Sequence, residues 1–136
     1  MKISDIAGCR VMVVEDEALI AFEIESVLEA LGCEVVGPVS ALETALHLAR
    51  ESMLDAAILD VTVRGGKIYS VAEHLIARDI PFVLASGYGD WALPDMLRDR
   101  PRLTKPFTAS ALEEQLASLS IEIAKRRREP AVHRVK

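Results

Sequence analysis

Short, continuous apolar runs that end in polar residues alternate along this chain with longer stretches in which apolar residues recur every three or four positions. That alternation restricts the chain to strands and helices taken in turn. Arg10–Val14 is a run of the first kind, the pattern of a strand buried on both faces. Glu17–Leu31 is of the second kind. It places Leu19/Ile20, Ile24, Val27/Leu28 and Leu31 on one helical face, with Gly32 at a C-cap position. Glu34–Val39 predicts a second strand, and Ser40 is positioned to cap a helix over Leu42–Glu51 with Ala45, Leu46 and Ala49 inward. Ala56–Leu59 predicts a third strand ending at Asp60. Val63–Lys67 reads as a loop around Gly65-Gly66, and Ile68–Arg78 as a helix with Val71, Ala72, Leu75 and Ile76 inward. Pro81 opens a fourth strand over Phe82–Ala85, and Arg102–Thr104 is a brief fifth. A last helix runs from Ser110 to about Lys125, with Ser110 and Glu113 at capping-box spacing and Leu112, Leu116, Leu119 and Ile123 as its core stripe. Between the last two strands, Gly87–Arg100 carries Gly87, Gly89 and Pro94. Any helix there is confined to a short piece near Pro94–Arg98, in a segment expected to move.

Parallel strands need helical crossovers, so five strands separated by helices imply an α/β fold with a parallel sheet covered on both faces. Right-handed crossovers and the order 2-1-3-4-5 make that sheet flavodoxin-like. The 136 residues suit one domain, and because 4% are aromatic against 51% hydrophobic overall, the core should be aliphatic. Cys9 and Cys33 form neither a disulfide framework nor a metal-ligand spacing, which fits two reduced thiols in a cytoplasmic setting. No apolar run approaches the roughly 20 residues of a membrane span, and no signal peptide is expected. The formal charge of −5 conceals a basic end: Lys125–Lys136 holds six Lys/Arg and one Glu, leaving ten Lys/Arg against twenty Asp/Glu in the rest. An acidic body of that kind argues against nucleic-acid binding.

Ligands of an open parallel sheet bind beyond the carboxyl ends of its strands. Past the first strand stand Glu15 and Asp16, past the third Asp60, past the fourth Ser86, and past the fifth Lys105-Pro106. If strands one and three are neighbours, three carboxylates converge, and like charges that close raise each other's pKa or recruit a cation. A hard oxygen site of this size suits Mg²⁺. Asp60 is the natural nucleophile for forming an acyl phosphate. Asp16 would ligate the metal directly, Glu15 through a water, and the Thr62 carbonyl would be a further ligand. Lys105 and the Ser86 hydroxyl would meet the phosphoryl oxygens. Each residue alone also suits a helix cap, a turn or a solvated surface. It is their joint placement at the ends of four strands that points to one site.

These residues resemble the response-regulator receiver domain. The marks are Val13-Val14-Glu15-Asp16-Glu17, Leu59-Asp60-Val61, Ala85-Ser86-Gly87 and Lys105-Pro106-Phe107, over about Arg10 to Leu119. Pro81-Phe82-Val83-Leu84-Ala85-Ser86-Gly87-Tyr88 is similar to the signature of the FATGUY subgroup of single-domain receivers, with Leu84 in place of its Phe and Ser86 in place of its Thr. The resemblance implies phosphorylation of Asp60 from a phosphohistidine on a histidine kinase or histidine phosphotransfer protein, with Mg²⁺, in a two-component phosphorelay. It also implies a switch relayed from Ser86. Two positions depart from the family pattern: Arg102 stands where receivers place a switch aromatic, and Arg64 where they place a proline. Tyr88 is the expected substitute for the aromatic, moving with the segment that follows Ser86.

The receiver is expected over 1–124, followed by a basic tail over 125–136 that is either disordered or the end of the last helix. With no effector segment in view, output is expected through protein contacts, including a homodimer through the face made by helix four, strand five and helix five. The protein is expected not to be an enzyme beyond its own phosphorylation. Two alternatives stand: a degenerate receiver that serves only as an interaction module, and a small Mg²⁺-dependent phosphohydrolase. The second would need a substrate cap or another acid beside Asp60, where this chain has Thr62 and Arg64.

Overall fold

The chain's computed structural model describes residues 6–87 and 93–128. Its elements are β1 (Arg10–Val14), α1 (Ala18–Ala30), β2 (Glu34–Val39), α2 (Leu42–Glu51), β3 (Ala56–Asp60), the two-residue strands β4 (Thr62–Val63) and β5 (Gly66–Lys67), α3 (Tyr69–Ala77), β6 (Phe82–Ser86), a 3-10 turn at Asp95–Leu97, β7 (Arg102–Thr104) and α4 (Ala109–Arg128). The main sheet has the order β2-β1-β3-β6-β7 with every pair parallel. With β4 and β5 set aside as a separate hairpin, this is the flavodoxin-like order 2-1-3-4-5.

Strand pleating divides the core. Val11 and Val13 face a layer with Ile24 and Leu28 of α1 and Leu112, Leu116, Leu119 and Ile123 of α4. Met12 and Val14 face Ala45 and Ala49 of α2 and Val71, Ala72 and Leu75 of α3. Since successive side chains of a strand point to opposite faces, the four-residue apolar run Val11–Val14 serves both layers.

Four local readings need correction. Leu19, expected in the core, is 85% exposed, and Ala21 is buried instead. Five residues before Ile24, Leu19 lies about 140° around the helix from it. The segment 63–67 is a hairpin with Gly65 and Gly66 at φ +104° and +135°, not a plain loop. Ser40 does not cap α2: its hydroxyl accepts from Arg64 Nη2 at 3.0 Å, and the Leu42 N–H donates to the Arg64 carbonyl at 2.8 Å. The hairpin therefore satisfies the helix end by backbone pairing. Ser110 does not cap α4 either. That helix starts at Ala109, and the hydroxyl of Thr108 accepts from the Ala111 N–H at 3.0 Å, the geometry of an N-cap bonded to the third helical residue.

The short helix expected near Pro94 is the 3-10 turn, preceded by Pro94 in extended conformation. The last helix continues to Arg128, so Lys125–Arg128 are its final turn. That turn is fastened to the body: Arg127 Nη2 lies 3.3 Å from Asp55 Oδ1, and Arg126 Nη2 lies 3.4 Å from the Arg78 carbonyl. Cys9 and Cys33 are buried free thiols.

Candidate functional site

β1 and β3 are neighbours, with Val14 opposite Leu59, so the residues that leave their carboxyl ends emerge side by side. Glu15 and Asp60 are buried, at 2% and 4% exposure, whereas Asp16 points outward. Glu15, Asp16 and Asp60 each offer a carboxylate oxygen within 4.8 Å of the others. β6 and β7 bring the other groups. Asp60 pairs with Ala85, Ser86 pairs with Thr104, and the Lys105 N–H donates to the Ser86 carbonyl at 2.9 Å. Ser86 is buried at this edge.

The Lys105 ammonium sits among the acids. Its Nζ donates to Glu15 Oε2 at 3.0 Å, Asp60 Oδ2 at 3.1 Å and Glu17 Oε1 at 3.3 Å. The Thr62 N–H donates to Asp60 Oδ1 at 3.3 Å, and the Thr62 hydroxyl accepts from Lys67 Nζ at 2.8 Å. The structure thus gathers Glu15, Asp16, Asp60, Thr62, Ser86 and Lys105 at one edge. Tyr88, the remaining expected residue, lies outside the described residues. Glu17 belongs to this group as well. In the sequence it reads as a helix-end charge, and the only hint of more is the unbroken run Glu15-Asp16-Glu17.

Electrostatics at this edge are strongly acidic: three carboxylates meet the Lys105 ammonium, and Asp16 adds a fourth beside Glu15 and Asp60. Burial, and then the neighbouring Glu15 charge, push the Asp60 carboxyl up to about 7 despite the opposing hydrogen bond from Lys105. Burial alone would depress Lys105, but its hydrogen bonds and charge contacts with Glu15 and Asp60 outweigh that and hold the ammonium above its ordinary range. Glu15 Oε1 is buried with no hydrogen-bond partner among the described residues. An orphaned carboxylate oxygen beside two further carboxylates fits a hard divalent cation, which would satisfy that oxygen and offset the excess charge.

A five-stranded parallel α/β sheet that converges three acids and a lysine at its carboxyl edge defines a two-component signalling module, and the chain belongs to the response-regulator receiver domain family. It is similar to SdrG from Sphingomonas melonis Fr1, whose solution structure shares 45% sequence identity at a TM-score of 0.73, covering 88% of this chain and 98% of that one. It is also similar to the response regulator PhyR from Brucella abortus, at 29% identity and a TM-score of 0.73 over 96% of this chain and 55% of that one. The transcriptional regulatory protein PdtaR of Mycobacterium tuberculosis is 33% identical over 107 residues, 76% of this chain and 52% of PdtaR. The chain spans about half the length of the curated relatives it matches. No family model matches it.

Proposed function

We propose that this chain is a phospho-accepting response regulator in which Asp60 receives a phosphoryl group from a phosphohistidine of a histidine kinase or histidine phosphotransfer protein, with Mg²⁺ as cofactor and protein contact as output. The observation that carries this reading is the approach of Lys105 Nζ to 3.1 Å from Asp60, inside a cluster of acids with one orphaned oxygen. Glu15, Asp16, Asp60 and the Thr62 carbonyl would hold the metal. Bound Mg²⁺ supplies positive charge to the phosphoryl oxygens during transfer.

The protein's own part is positional. Asp60 presents a carboxylate oxygen to phosphorus, the O–P bond forms as the P–N bond to the donor histidine breaks, and the imidazole leaves with the electron pair. Lys105 donates to an equatorial oxygen, and the Ser86 hydroxyl engages another once the adduct exists. Burial of Asp60 keeps bulk water from the new acyl phosphate. A similar chain, SdrG of Pseudomonas melonis Fr1, 46% identical over 84% of this one, has been solved in a BeF3-activated conformation, which supports an acceptor role. PhyR of Bartonella quintana, 26% identical, is described as an anti-anti-sigma factor, which supports output through protein contacts. No helix of the described residues is long and apolar enough to cross a membrane, in keeping with the proposed cytoplasmic site of action.

Incubation with acetyl phosphate and Mg²⁺, followed by intact-mass measurement, tests the reading. One phosphoryl adduct is expected on the wild-type chain and none on Asp60→Asn. An adduct that persists in Asp60→Asn, turnover of many phosphate esters per chain, or no adduct at all would overturn it.

A further inference from the structure

An ammonium has three protons to donate, and all three on Lys105 are engaged by Glu15, Asp60 and Glu17. A phosphoryl oxygen arriving at Asp60 therefore has to take the place of one of these partners. The three differ in how easily they release. Asp60 is the acceptor itself, and the Glu15 side chain is 1% exposed and accepts the Glu17 N–H at 3.1 Å through the same Oε2 that meets Lys105. The Glu17 side chain is 62% exposed. A carboxylate already facing water rehydrates at small cost, whereas a buried one does not. Glu17 also adds a negative charge at the point where an anionic donor must approach.

We infer that Glu17 is a positioning residue and a brake on phosphorylation. It occupies the third proton of Lys105 in the resting protein and yields that proton to the incoming phosphoryl oxygen. This rests on the reading of Asp60 as phospho-acceptor. With acetyl phosphate as donor, the Asp60 carboxylate oxygen forms a bond to phosphorus while the bond from phosphorus to the acetyl oxygen breaks, and acetate leaves with the electron pair. No proton needs to move. Lys105 only transfers a hydrogen bond from Glu17 to an equatorial oxygen.

The test is the initial rate of Asp60 phosphorylation by acetyl phosphate and Mg²⁺, read by intact mass for wild type, Glu17→Gln, Glu17→Asp and Glu29→Gln. Glu29 is exposed near the far end of the same helix, so its variant changes net charge equally. Glu17→Gln should be about two- to fivefold faster than wild type, the scale of an exposed ion pair. The gain should shrink as salt is added. Glu17→Asp, which restores the charge, should return toward the wild-type rate, and Glu29→Gln should match wild type. An unchanged or slower Glu17→Gln, or an equal gain in Glu29→Gln, overturns the inference while leaving Asp60 as acceptor. Absence of any adduct on all four proteins overturns both.

Discussion

Asp60 is held in a place that suits its chemistry and costs the resting fold. Its carboxyl is raised from the ordinary 3.8 to about 7 by burial and by Glu15, so between those two values the folded chain binds a proton that the unfolded chain releases. Stability of the metal-free protein should therefore fall as pH rises from about 4 to about 7, with the full penalty present above that window. Asp60→Asn removes the contribution. In urea titrations across this range the variant should gain on wild type as pH rises, and a constant difference between the two would contradict the assignment. The two thiols make a second residue-scale case. Burial pushes Cys33 up to about 11, with the charge of Cys9 adding to it, and burial also raises Cys9. Thiolate is the reactive form, so iodoacetamide at pH 8 should modify neither cysteine in the native protein and both in denaturant. Fast labelling of either one in the native state would refute this. Asp60 and Asp16 were legible in the sequence because each stands within two residues of the end of an apolar run, and Lys105 because it follows the brief strand Arg102–Thr104. Glu17 was not, because its role depends on where a lysine 88 positions later folds back, and no local pattern encodes that distance.

Among the elements, the hairpin β4–β5 departs most from the sequence reading. Its four strand residues are too short for periodicity to register, and what holds it is tertiary: Ala41 bridges to Arg64, the Leu42 N–H donates to the Arg64 carbonyl, and Arg64 reaches Ser40. A Cβ added at Gly65 would lie 3.2 Å from the Leu42 Cβ, and φ there is +104°. Gly65→Ala should destabilise the fold by about 1–2 kcal/mol in chemical denaturation, through strain and crowding together; a neutral outcome would mean that the hairpin shifts freely. The end of α3 offers the converse change. Asp79 has φ +62°, its N–H donates to the Ile76 carbonyl and that of Ile80 to Leu75, which is a Schellman closure with an aspartate where glycine is usual. Asp79→Gly should stabilise the protein by about 0.5–1 kcal/mol, and a loss of stability would show that the Asp79 side chain contributes more than its backbone costs. The long helices and sheet strands were legible because burial on a repeating face leaves a pattern. Caps were misplaced by one or two residues, because any nearby hydroxyl or carbonyl that reaches an open N–H serves equally well.

At the scale of the whole molecule, the fold separates charge. The five strands of the main sheet run one way and the crossover helices run back, so helix C-termini gather at the amino edge of the sheet, where cations complement the helix dipoles; Arg78 and the final turn of α4 with Lys125, Arg126 and Arg127 lie there. The acids Glu15, Asp16, Glu17 and Asp60 gather at the carboxyl edge, where Lys105 pairs with three of them. The composition shows the basic end of the chain but not this arrangement, because the sign at each edge depends on strand direction and not on sequence position. A divalent cation bound at the acidic edge relieves repulsion present only in the folded chain, so it should raise stability by mass action, by about 1.4 kcal/mol for each tenfold excess of Mg²⁺ over its dissociation constant. The unfolding temperature should climb with Mg²⁺ and keep climbing logarithmically, the whole curve moving to lower Mg²⁺ at low ionic strength, where the cation binds more tightly. Asp16→Asn removes a proposed ligand while leaving Lys105 its three partners, so its curve should shift to higher Mg²⁺ concentration without a large change in the metal-free value. If wild type and Asp16→Asn respond identically, the cation binds elsewhere, and the acidic edge is held by Lys105 alone.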